Sequence, residues 1–421
     1  MARLLPFFLA CAASAQVLVL NDANLIDGTG APARAHMRIV IRDGRIAAVE
    51  DASKSEAPAG AEVRDLKGMT VIPGLMDAHV HLTSGPGNED QIAKTLRFGL
   101  MGGVTSVRDM GGDDIVLAEL AKKAADPKEP APRIYYSTLV AGPQWFSDPR
   151  PKASSHGGVA GEVAWMRAIT PAADFAAVIR AGKATGATGL KIYADLTPAT
   201  VARVTAEAHR QGLKVWAHSA VFPAKPSDDV AAGVDVMSHS NYLGAEGMNP
   251  PPDSYEAARH GQGIDYSKSP VDGDAITSLF RTMKEKGVIL DETLFVTHAG
   301  RHGDDDAIWR FTVAATRRAH EMGVTLAAGT DNFGNLSRDA VPNIHGEMKL
   351  LVEQCGLTPV EAIRAATYNA ARTVGMEKDH GTVETGKVAD LVILRGDPSA
   401  DIGRTKDIAT VMKGGVTYRR Q

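Results

Sequence analysis

The chain has few cysteines and few aromatic residues. Only two of its 421 residues are cysteines, and 5% are aromatic. Cys11 lies near the N-terminus, and Cys355 ends the amphipathic segment EMKLLVEQC. If the chain is cleaved after Ala15, Cys355 alone remains and an internal disulfide is excluded. We therefore interpret Cys355 as a small core residue at a helix end rather than a nucleophile.

The chain also lacks an excess of positive charge, and it lacks long apolar runs. The chain carries 46 basic and 50 acidic side chains, for a formal net charge of −4. This balance does not suggest the basic surface that is typical of nucleic-acid binding. Beyond the N-terminus, no run approaches the roughly 18 apolar residues of a transmembrane helix. We expect no nucleic-acid partner and no membrane span.

Residues 1–15 are typical of an export signal peptide. Arg3 precedes the apolar stretch LLPFFLACAA, and an Ala-Ser-Ala cleavage motif ends at Ala15. We therefore expect a periplasmic or secreted protein. Two alternatives stay open, namely a lipoprotein acylated at Cys11 and a buried first strand or helix.

The two ends of the mature chain have β patterns, and the middle alternates strand and helix patterns. Residues 17–72 and 383–421 contain short apolar runs broken by turn residues, which predicts a composite β-sandwich domain built from both termini. Residues 73–382 alternate β-branched runs with segments whose apolar residues are spaced three and four apart. Thr197 and Gly212 bracket one such helix as its N-cap and its terminator. This alternation predicts an α/β fold with a parallel sheet, either open or closed as a barrel.

Residues that can bind metal ions end the successive strand runs. They are His79 and His81 in VIPGLMDAHVH, Lys191 in GLKIY, His218 in GLKVWAHS, His239 in GVDVMSHS and Asp331 in GVTLAAGTD. Only a closed (β/α)8 TIM barrel brings so many separate strand ends to one axis. Each residue alone could be structural, but the ordered set predicts a metal centre, for which imidazole-rich ligands favour zinc.

Lys191 is the least usual member of this set. A lysine in a strand buried on both faces is costly unless it is paired or modified. Reaction with carbon dioxide would give a carbamate, an anion whose two oxygens can bridge two cations about 3.5–4 Å apart. An ion pair at the barrel rim is the alternative.

With these motifs, the chain resembles the amidohydrolase superfamily of metal-dependent hydrolases. PGLMDAHVHL is similar to the first-strand His-x-His motif, Lys191 to the carbamylated lysine of the fourth strand, and the GTD that ends at Asp331 to the eighth-strand aspartate. GTVETGKVADLVIL is similar to the return into the family's β-sandwich. Residues 102–112 and 345–371 are similar to the branch that contains prolidase-like dipeptidases, ochratoxin-hydrolysing amidases and imidazolonepropionase-related proteins.

This resemblance implies two divalent metal ions bridged by carbamylated Lys191. The remaining ligands divide between them, with His79, His81 and Asp331 on one ion and His218 and His239 on the other. A hydroxide shared by the ions would attack the carbonyl, and Asp331 would pass the proton to the leaving nitrogen.

The expected reaction is hydrolysis of a C–N bond in a small amide or dipeptide that carries a carboxylate. A cyclic amide or an ochratoxin-like aryl amide is the alternative substrate. A non-catalytic scaffold is disfavoured because all six ligand positions are filled, and Lys191 argues against a mononuclear deaminase or an isomerase. A homo-oligomer remains compatible with the sequence.

The chain differs from the usual sequence of this branch near positions that we expect to line the substrate pocket. Ser238-His239-Ser240 stands where Glu-His-Gly is usual, and Tyr242 follows. Tyr193 lies two residues after Lys191 and hence on the same face of the strand. We expect Tyr193 and Tyr242 to contact substrate, with ordinary packing as the alternative.

Two further pairs of residues follow strand runs. His298 and His302 come after the seventh run, DETLFVTHAGRH, and we expect one of them, first His298, to bind substrate. A solvated loop histidine is the alternative. Arg108 and Asp109 end the second run, where we interpret them as a structural ion pair.

Overall fold

The computed structural model describes residues 17–54, 56–84, 89–303, 305–336 and 340–419. The predicted signal peptide, residues 1–15 with Cys11, lies outside the described residues. The strands in chain order are β1 (Leu18–Leu25), β2 (Arg34–Arg42), β3 (Arg45–Asp51), β4 (Glu62–Asp65), β5 (Thr70–Pro73), β6 (Leu75–Val80), β7 (Val104–Asp109), β8 (Arg133–Ala141), β9 (Glu162–Val163), β10 (Met166–Ala168), β11 (Gly189–Ile192), β12 (Lys214–His218), β13 (Val236–Ser238), β14 (Ile289–Asp291), β15 (Thr325–Leu326), β16 (Leu391–Leu394), β17 (Ile408–Lys413) and β18 (Val416–Tyr418).

Helices connect most of these strands. They are α1 (Glu89–Met101), α2 (Asp114–Ala124), α3 (Pro149–Ala153), α4 (Phe175–Lys183), α5 (Pro198–Arg210), α6 (Pro226–Ala232), α7 (Asp274–Lys286), α8 (Leu294–Gly300), α9 (Ala307–Glu321), α10 (Ile344–Cys355), α11 (Pro359–Arg364) and α12 (Ala370–Thr373). A π-helical turn at Ala365–Asn369 joins α11 to α12. Among the described residues, no helix is both long enough and apolar enough to cross a membrane.

Eight strands form a parallel barrel in the order β6-β7-β8-β11-β12-β13-β14-β15. Two backbone hydrogen bonds close it, from Ala78 N to Ala328 O at 3.0 Å and from Asp331 N to His79 O at 2.9 Å. The sheet therefore returns to its first strand, which confirms the predicted α/β class with a (β/α)8 barrel. The carboxyl ends of all eight strands surround one axis.

Local signals in the sequence account for the ends of several barrel helices. Thr197 accepts a hydrogen bond from Thr200 N at 3.3 Å, with Pro198 as the first helical residue of α5. Gly212 follows this helix with a φ of +78°, and Gly287 ends α7 with a φ of +71°. Glycine occupies this left-handed region at no steric cost, so α5 stops where the sequence predicts and α7 ends in the same way.

The seventh barrel strand is shorter than the predicted run DETLFVT. β14 ends at Asp291, and α8 begins at Leu294. The Glu347 carboxylate accepts hydrogen bonds from Leu294 N at 2.8 Å and Phe295 N at 2.5 Å. A short apolar run suits either strand or helix, and this cap from a distant helix settles it as a helix.

Strands from both ends of the chain form a separate sheet in the order β18-β17-β16-β5-β1-β2-β3, with β4 also pairing with β1. The junction is the antiparallel pair of β5 and β16, which are more than 300 residues apart and pair from Pro73–Leu391 to Thr70–Leu394. Alternate residues such as Leu20, Ile39 and Leu391 meet in one apolar cluster. The domain bounds at residues 72 and 383 stay a prediction. Strand β5 continues one residue past the first of them, to Pro73.

Candidate active site

Four imidazoles form one contiguous cluster at the carboxyl ends of the barrel strands. Neighbouring ring centroids are 5.4 Å apart for His81 and His79, 4.8 Å for His79 and His239, and 4.5 Å for His239 and His218. Asp331 Oδ1 lies 3.3 Å from His81 Nε2 and 3.7 Å from His79 Nε2. The barrel thus brings together five of the six residues that the sequence predicts as ligands.

Lys191, the sixth predicted ligand, lies on β11 and is 0% exposed. Its Nζ has no hydrogen-bond partner among the residues that the structure describes. Burial, followed by the charge of Arg108, lowers the pKa of the Lys191 amine to about 7. Nζ lies 5.6 Å from the centroid of the Tyr193 ring, which is itself 4.7 Å from that of His218, so the amine lies near the imidazole cluster.

This donor set fits a divalent metal ion. One ligand atom from each of His79, His81 and Asp331 lies within 4.8 Å of the other two, and nitrogen with carboxylate oxygen is a zinc-type combination. An orphaned buried amine next to this group is costly as it stands. Conversion of Lys191 to an anionic ligand that is paired with metal ions would offset that cost.

Burial keeps most of the imidazoles neutral, which is the state that binds metal. It lowers the pKa of His79 and takes those of His218 and His239 well below the ordinary histidine value. Burial also lowers the pKa of His81, but the hydrogen bond and charge of Asp331 outweigh it and the net shift is upward. Burial raises the pKa of Asp331, yet the surrounding histidines hold it far below its usual range, so the carboxylate is ionised.

Backbone conformation at two of the predicted ligand positions is strained. His239 has a φ of +77° and Asp331 a φ of +50°, a region that costs a non-glycine residue of order 1–3 kcal/mol.

Close packing explains Gly329, the first residue of the GTD motif that ends at Asp331. A Cβ at Gly329 would lie 2.2 Å from Asp291 Oδ1 and 2.7 Å from His79 Cβ. The strand end has no room for a side chain there.

Asp291 is a functional residue that the sequence reasoning missed. This fully buried carboxylate at the end of β14 accepts hydrogen bonds through Oδ2 from His79 Nδ1 at 2.7 Å, Arg108 Nη2 at 2.8 Å and Ser238 Oγ at 3.0 Å. Because His79 Nδ1 carries the proton, its Nε2 lone pair is left for the cavity. The one available signal was an aspartate at the end of a buried strand.

The predicted ion pair between Arg108 and Asp109 is wrong. Neighbouring residues on β7 point to opposite faces of the strand, so Arg108 turns inward to Asp291. Asp109 instead accepts hydrogen bonds from Leu82 N at 2.6 Å and Gly111 N at 3.1 Å. Arg108 also lies 4.9 Å from the centroid of the Trp216 ring.

A cavity of about 600 Å³ opens above the imidazole cluster. The Tyr193 ring lies between Trp145 and His218, with centroid distances of 4.4 Å and 4.7 Å. The Tyr242 ring is 4.8 Å from that of His218. Both predicted tyrosines therefore line the cavity, together with Tyr255, which the sequence reasoning missed.

The two histidines that follow the seventh strand have different surroundings. The His298 ring packs against Trp309 at 5.1 Å, and His298 is not among the described residues that line the cavity. His302 does line it. Because α8 is helical, its side chains point in turn to different sides, and Thr297 rather than His298 faces the cavity.

Comparison with known proteins agrees with this architecture. The model of the amidohydrolase family matches residues 70–418. The chain is 27% identical over 426 residues to an imidazolonepropionase of Symbiobacterium thermophilum, with 90% of each chain covered. It is 26% identical over 477 residues to an ochratoxinase of Aspergillus niger, with 98% of this chain and 89% of the relative covered.

A solved Xaa-Pro dipeptidase with bound methionine has a similar fold, with a TM-score of 0.76 at 22% identity over 96% of this chain and 100% of that one. The family match extends from β5 to β18 and includes the whole barrel with its cluster of ligand-type residues. The chain therefore belongs to the amidohydrolase family, as a hydrolase that acts on carbon–nitrogen bonds.

Proposed function

We propose that this hydrolase uses two divalent metal ions, by expectation zinc, to cleave the amide or dipeptide-like bond of a small substrate that carries a carboxylate. The observation that carries the proposal is the orphaned, fully buried Lys191 amine beside four clustered imidazoles and the ionised Asp331. We also propose that residues 1–15 direct its export.

The proposed ligands come from five strand ends of the barrel, with His79 and His81 at the same one. His79, His81 and Asp331 would hold one ion, and His218 and His239 the other. Lys191 as its carbamate would bridge them, because a carbamate offers one oxygen to each ion. When bound, the ions supply Lewis-acid activation of water and of the scissile carbonyl.

The side chains of the chain supply the proton transfer and the orientation. Asp331 is ionised and can take a proton from the attacking water and give it to the leaving nitrogen, as a general base and then a general acid. Asp291 keeps His79 in the required tautomer through the 2.7 Å hydrogen bond to Nδ1. Tyr193 and Tyr242 form the apolar sides of the cavity against His218.

The aromatic residues that line the cavity, Trp145, Tyr193 and Tyr255, favour a second candidate substrate, an aryl amide. Trp145 and Tyr193 stack at 4.4 Å, and Tyr255 lies 5.6 Å from Tyr193. A flat acyl or aryl group would find offset and edge contacts here. The relatives named ochratoxinase and imidazolonepropionase make ochratoxin A and cyclic amides the natural comparison substrates.

The bridging role of Lys191 predicts a change in metal content. In Lys191→Ala we expect fewer than two ions per chain by elemental analysis and a loss of turnover by orders of magnitude. Lys191→Glu puts a carboxylate at the same place and should regain part of the metal. Lys122→Ala, an exposed lysine on α2, controls for loss of one amine. Two tightly bound ions in Lys191→Ala would rule out the bridge.

Substrate class is tested on the purified, metal-loaded protein. The panel holds N-acyl amino acids, Xaa-Pro dipeptides, lactams and ochratoxin A. We expect turnover of linear amides that carry a carboxylate. Turnover confined to lactams would replace the proposed substrate with a cyclic amide.

A further inference from the structure

Arg150 lines the cavity but has no role in the proposed reaction. It lies on α3, directly after the barrel strand β8, and lines the cavity above the imidazoles. Asp148 caps the same helix and accepts two hydrogen bonds from the guanidinium. Nε donates to Oδ1 at 3.0 Å, and Nη2 donates to Oδ2 at 3.0 Å. Arg150 is thereby held in one orientation, and its Nη1 is directed away from Asp148.

Asp148 pairs with more than one arginine. Its Oδ2 is also 3.4 Å from Nη1 of a second arginine, Arg259. One carboxylate is therefore shared by two guanidinium groups, and Arg259 has a further partner in the exposed Glu256, whose Oε2 lies 3.6 Å from Arg259 Nη1. Among the described residues that line the cavity, the carboxylates are Asp306 and Asp331. Asp306 caps α9 and Asp331 belongs to the ligand set, so neither is available to Arg150.

The side of the Arg150 guanidinium that does not contact Asp148 faces two tyrosines next to the imidazole cluster. Nη1 donates to the Tyr193 hydroxyl at 3.3 Å, and the guanidinium carbon lies 5.6 Å from the centre of the Tyr255 ring. The opposite face of this aromatic group meets His218, at 4.7 Å from Tyr193 and 5.4 Å from Tyr255. The Tyr193 ring thus lies between the cation and the imidazole cluster, 5.9 Å from the guanidinium carbon and 4.7 Å from His218.

We infer that Arg150 Nη1 and the hydroxyls of Tyr193 and Tyr255 form the subsite that binds the carboxylate of the substrate. The inference rests on the proposed amide hydrolysis and names its substrate class as N-acyl amino acids, in which the carboxylate belongs to the leaving amine. An arginine that is already oriented by Asp148 loses little freedom on binding, which makes a charge-assisted hydrogen bond effective. A neutral amide forms no charge-assisted hydrogen bond with Nη1 of this arginine.

The test compares acids with their own carboxamides. Release of benzoate is measured from N-benzoyl-glycine, N-benzoyl-phenylalanine and N-benzoyl-proline, and from the three corresponding carboxamides. We expect the wild-type chain to prefer the acids by at least about tenfold in kcat/KM. Arg150→Met should lower kcat/KM for the acids by about 10- to 100-fold, chiefly through KM, and change the carboxamides by less than about threefold. Arg150→Lys should restore part of the preference, because it keeps the charge without the planar fork.

Arg301→Met is the matched control, since it removes another arginine from the lining of the same cavity. Its ratio of acid to carboxamide turnover should remain that of the wild type. Equal losses on acids and carboxamides in Arg150→Met would overturn the subsite. An equal change of the ratio in Arg301→Met would do so as well, since bulk charge would then explain it.

Direct binding separates this inference from the proposed reaction. If the wild-type chain hydrolyses no compound of the panel, the proposed function fails, and calorimetry with N-benzoyl-glycine and its carboxamide then decides on the subsite. Tighter binding of the acid that disappears in Arg150→Met supports it. Equal binding of the two compounds, or binding of neither, overturns it.

Discussion

Asp291 shows how much one side chain contributes when its partners come from distant segments. Its Oδ2 holds His79 on β6 and Arg108 on β7, and its backbone carbonyl accepts a hydrogen bond from His239 N at 2.8 Å. Two predicted ligands on different strands thus depend on it. It is also the anion that compensates the buried charge of Arg108, a residue with 0% exposure.

Replacing Asp291 should therefore weaken both stability and metal binding. We expect Asp291→Asn to lower the free energy of unfolding by about 3–5 kcal/mol, because it leaves the Arg108 cation buried without its anion. Metal affinity should fall by about 10- to 100-fold with the loss of the His79 orientation. Denaturant titration and chelator competition measure the two effects. Ser238→Ala removes one neutral donor to the same oxygen and should cost only about 1 kcal/mol, so equal effects of the two substitutions would contradict this role.

The residues of the site differ in how far the sequence predicts them. His79, His218 and Asp331 could be found because each ends a strand run, and strand ends of a barrel converge. Asp291 could not, since its hydrogen bond to His79 spans 212 residues and leaves no local pattern. Arg150 was missed for the same reason, as its meaning depends on Tyr193 and on the shape of the cavity.

Two buried glutamates meet where β14 leads into α8. Glu292 follows the last residue of β14, and Glu347 on α10 caps the start of α8. Burial raises the pKa of Glu292 well above its ordinary value, and the charges of Glu347 and Asp291 raise it further. Burial likewise raises the pKa of Glu347 to about 8. Both are fully buried, so the folded chain retains protons here that the unfolded chain releases.

This pair predicts that stability falls as pH rises. The folded-state pKa values lie above the unfolded value of 4.5, so the stabilisation is complete below that pH. It is then lost as the pH climbs toward about 8, with a slope of at most about 1.4 kcal/mol per pH unit for each proton. Glu292→Gln keeps the shape of the protonated acid and should become progressively more stable than the wild type as the pH rises above 4.5.

Denaturant titrations of metal-free protein at several pH values follow this difference. Glu353→Gln, an exposed position on α10, serves as a control for loss of one negative charge. A gap between Glu292→Gln and the wild type that stays constant with pH would show that Glu292 is already ionised in the folded chain.

At the level of elements, the sequence predicts the ends of helices better than the elements around the seventh strand. Thr197, Pro198 and Gly212 act through their own backbone neighbours, so the pattern bounds α5 directly. The start of α8 depends on Glu347, whose bonds to Leu294 and Phe295 span more than 50 residues. The run LFVTHAG carries no cap of its own, and this is why His298 was assigned to the cavity.

Across the whole molecule, the terminal sheet and the barrel share one interior. Ile72 on β5 and Val392 on β16 belong to the same apolar cluster as Leu75 and Val104 of the barrel. At the border, the Arg133 guanidinium at the start of β8 pairs with Asp390 at 2.5 Å. The sheet built from both termini is thus part of the support of the barrel, which two-domain sequence patterns alone do not reveal.

Lys413 makes three hydrogen bonds across this border and allows the shared interior to be tested. Its ammonium donates to the carbonyls of Asp126, Glu129 and Ala131 at 3.0, 3.1 and 2.7 Å, in the loop between α2 and β8. Lys413→Met keeps the apolar stem but leaves these carbonyls unpaired, at a cost of about 2–3 kcal/mol. Because the cores are continuous, we expect calorimetry to show one cooperative transition that moves to lower temperature as a whole. Lys406→Met, an exposed lysine near the same end, should leave it in place. A separate early transition in Lys413→Met would mean that the terminal sheet unfolds independently and that the barrel is stable without it.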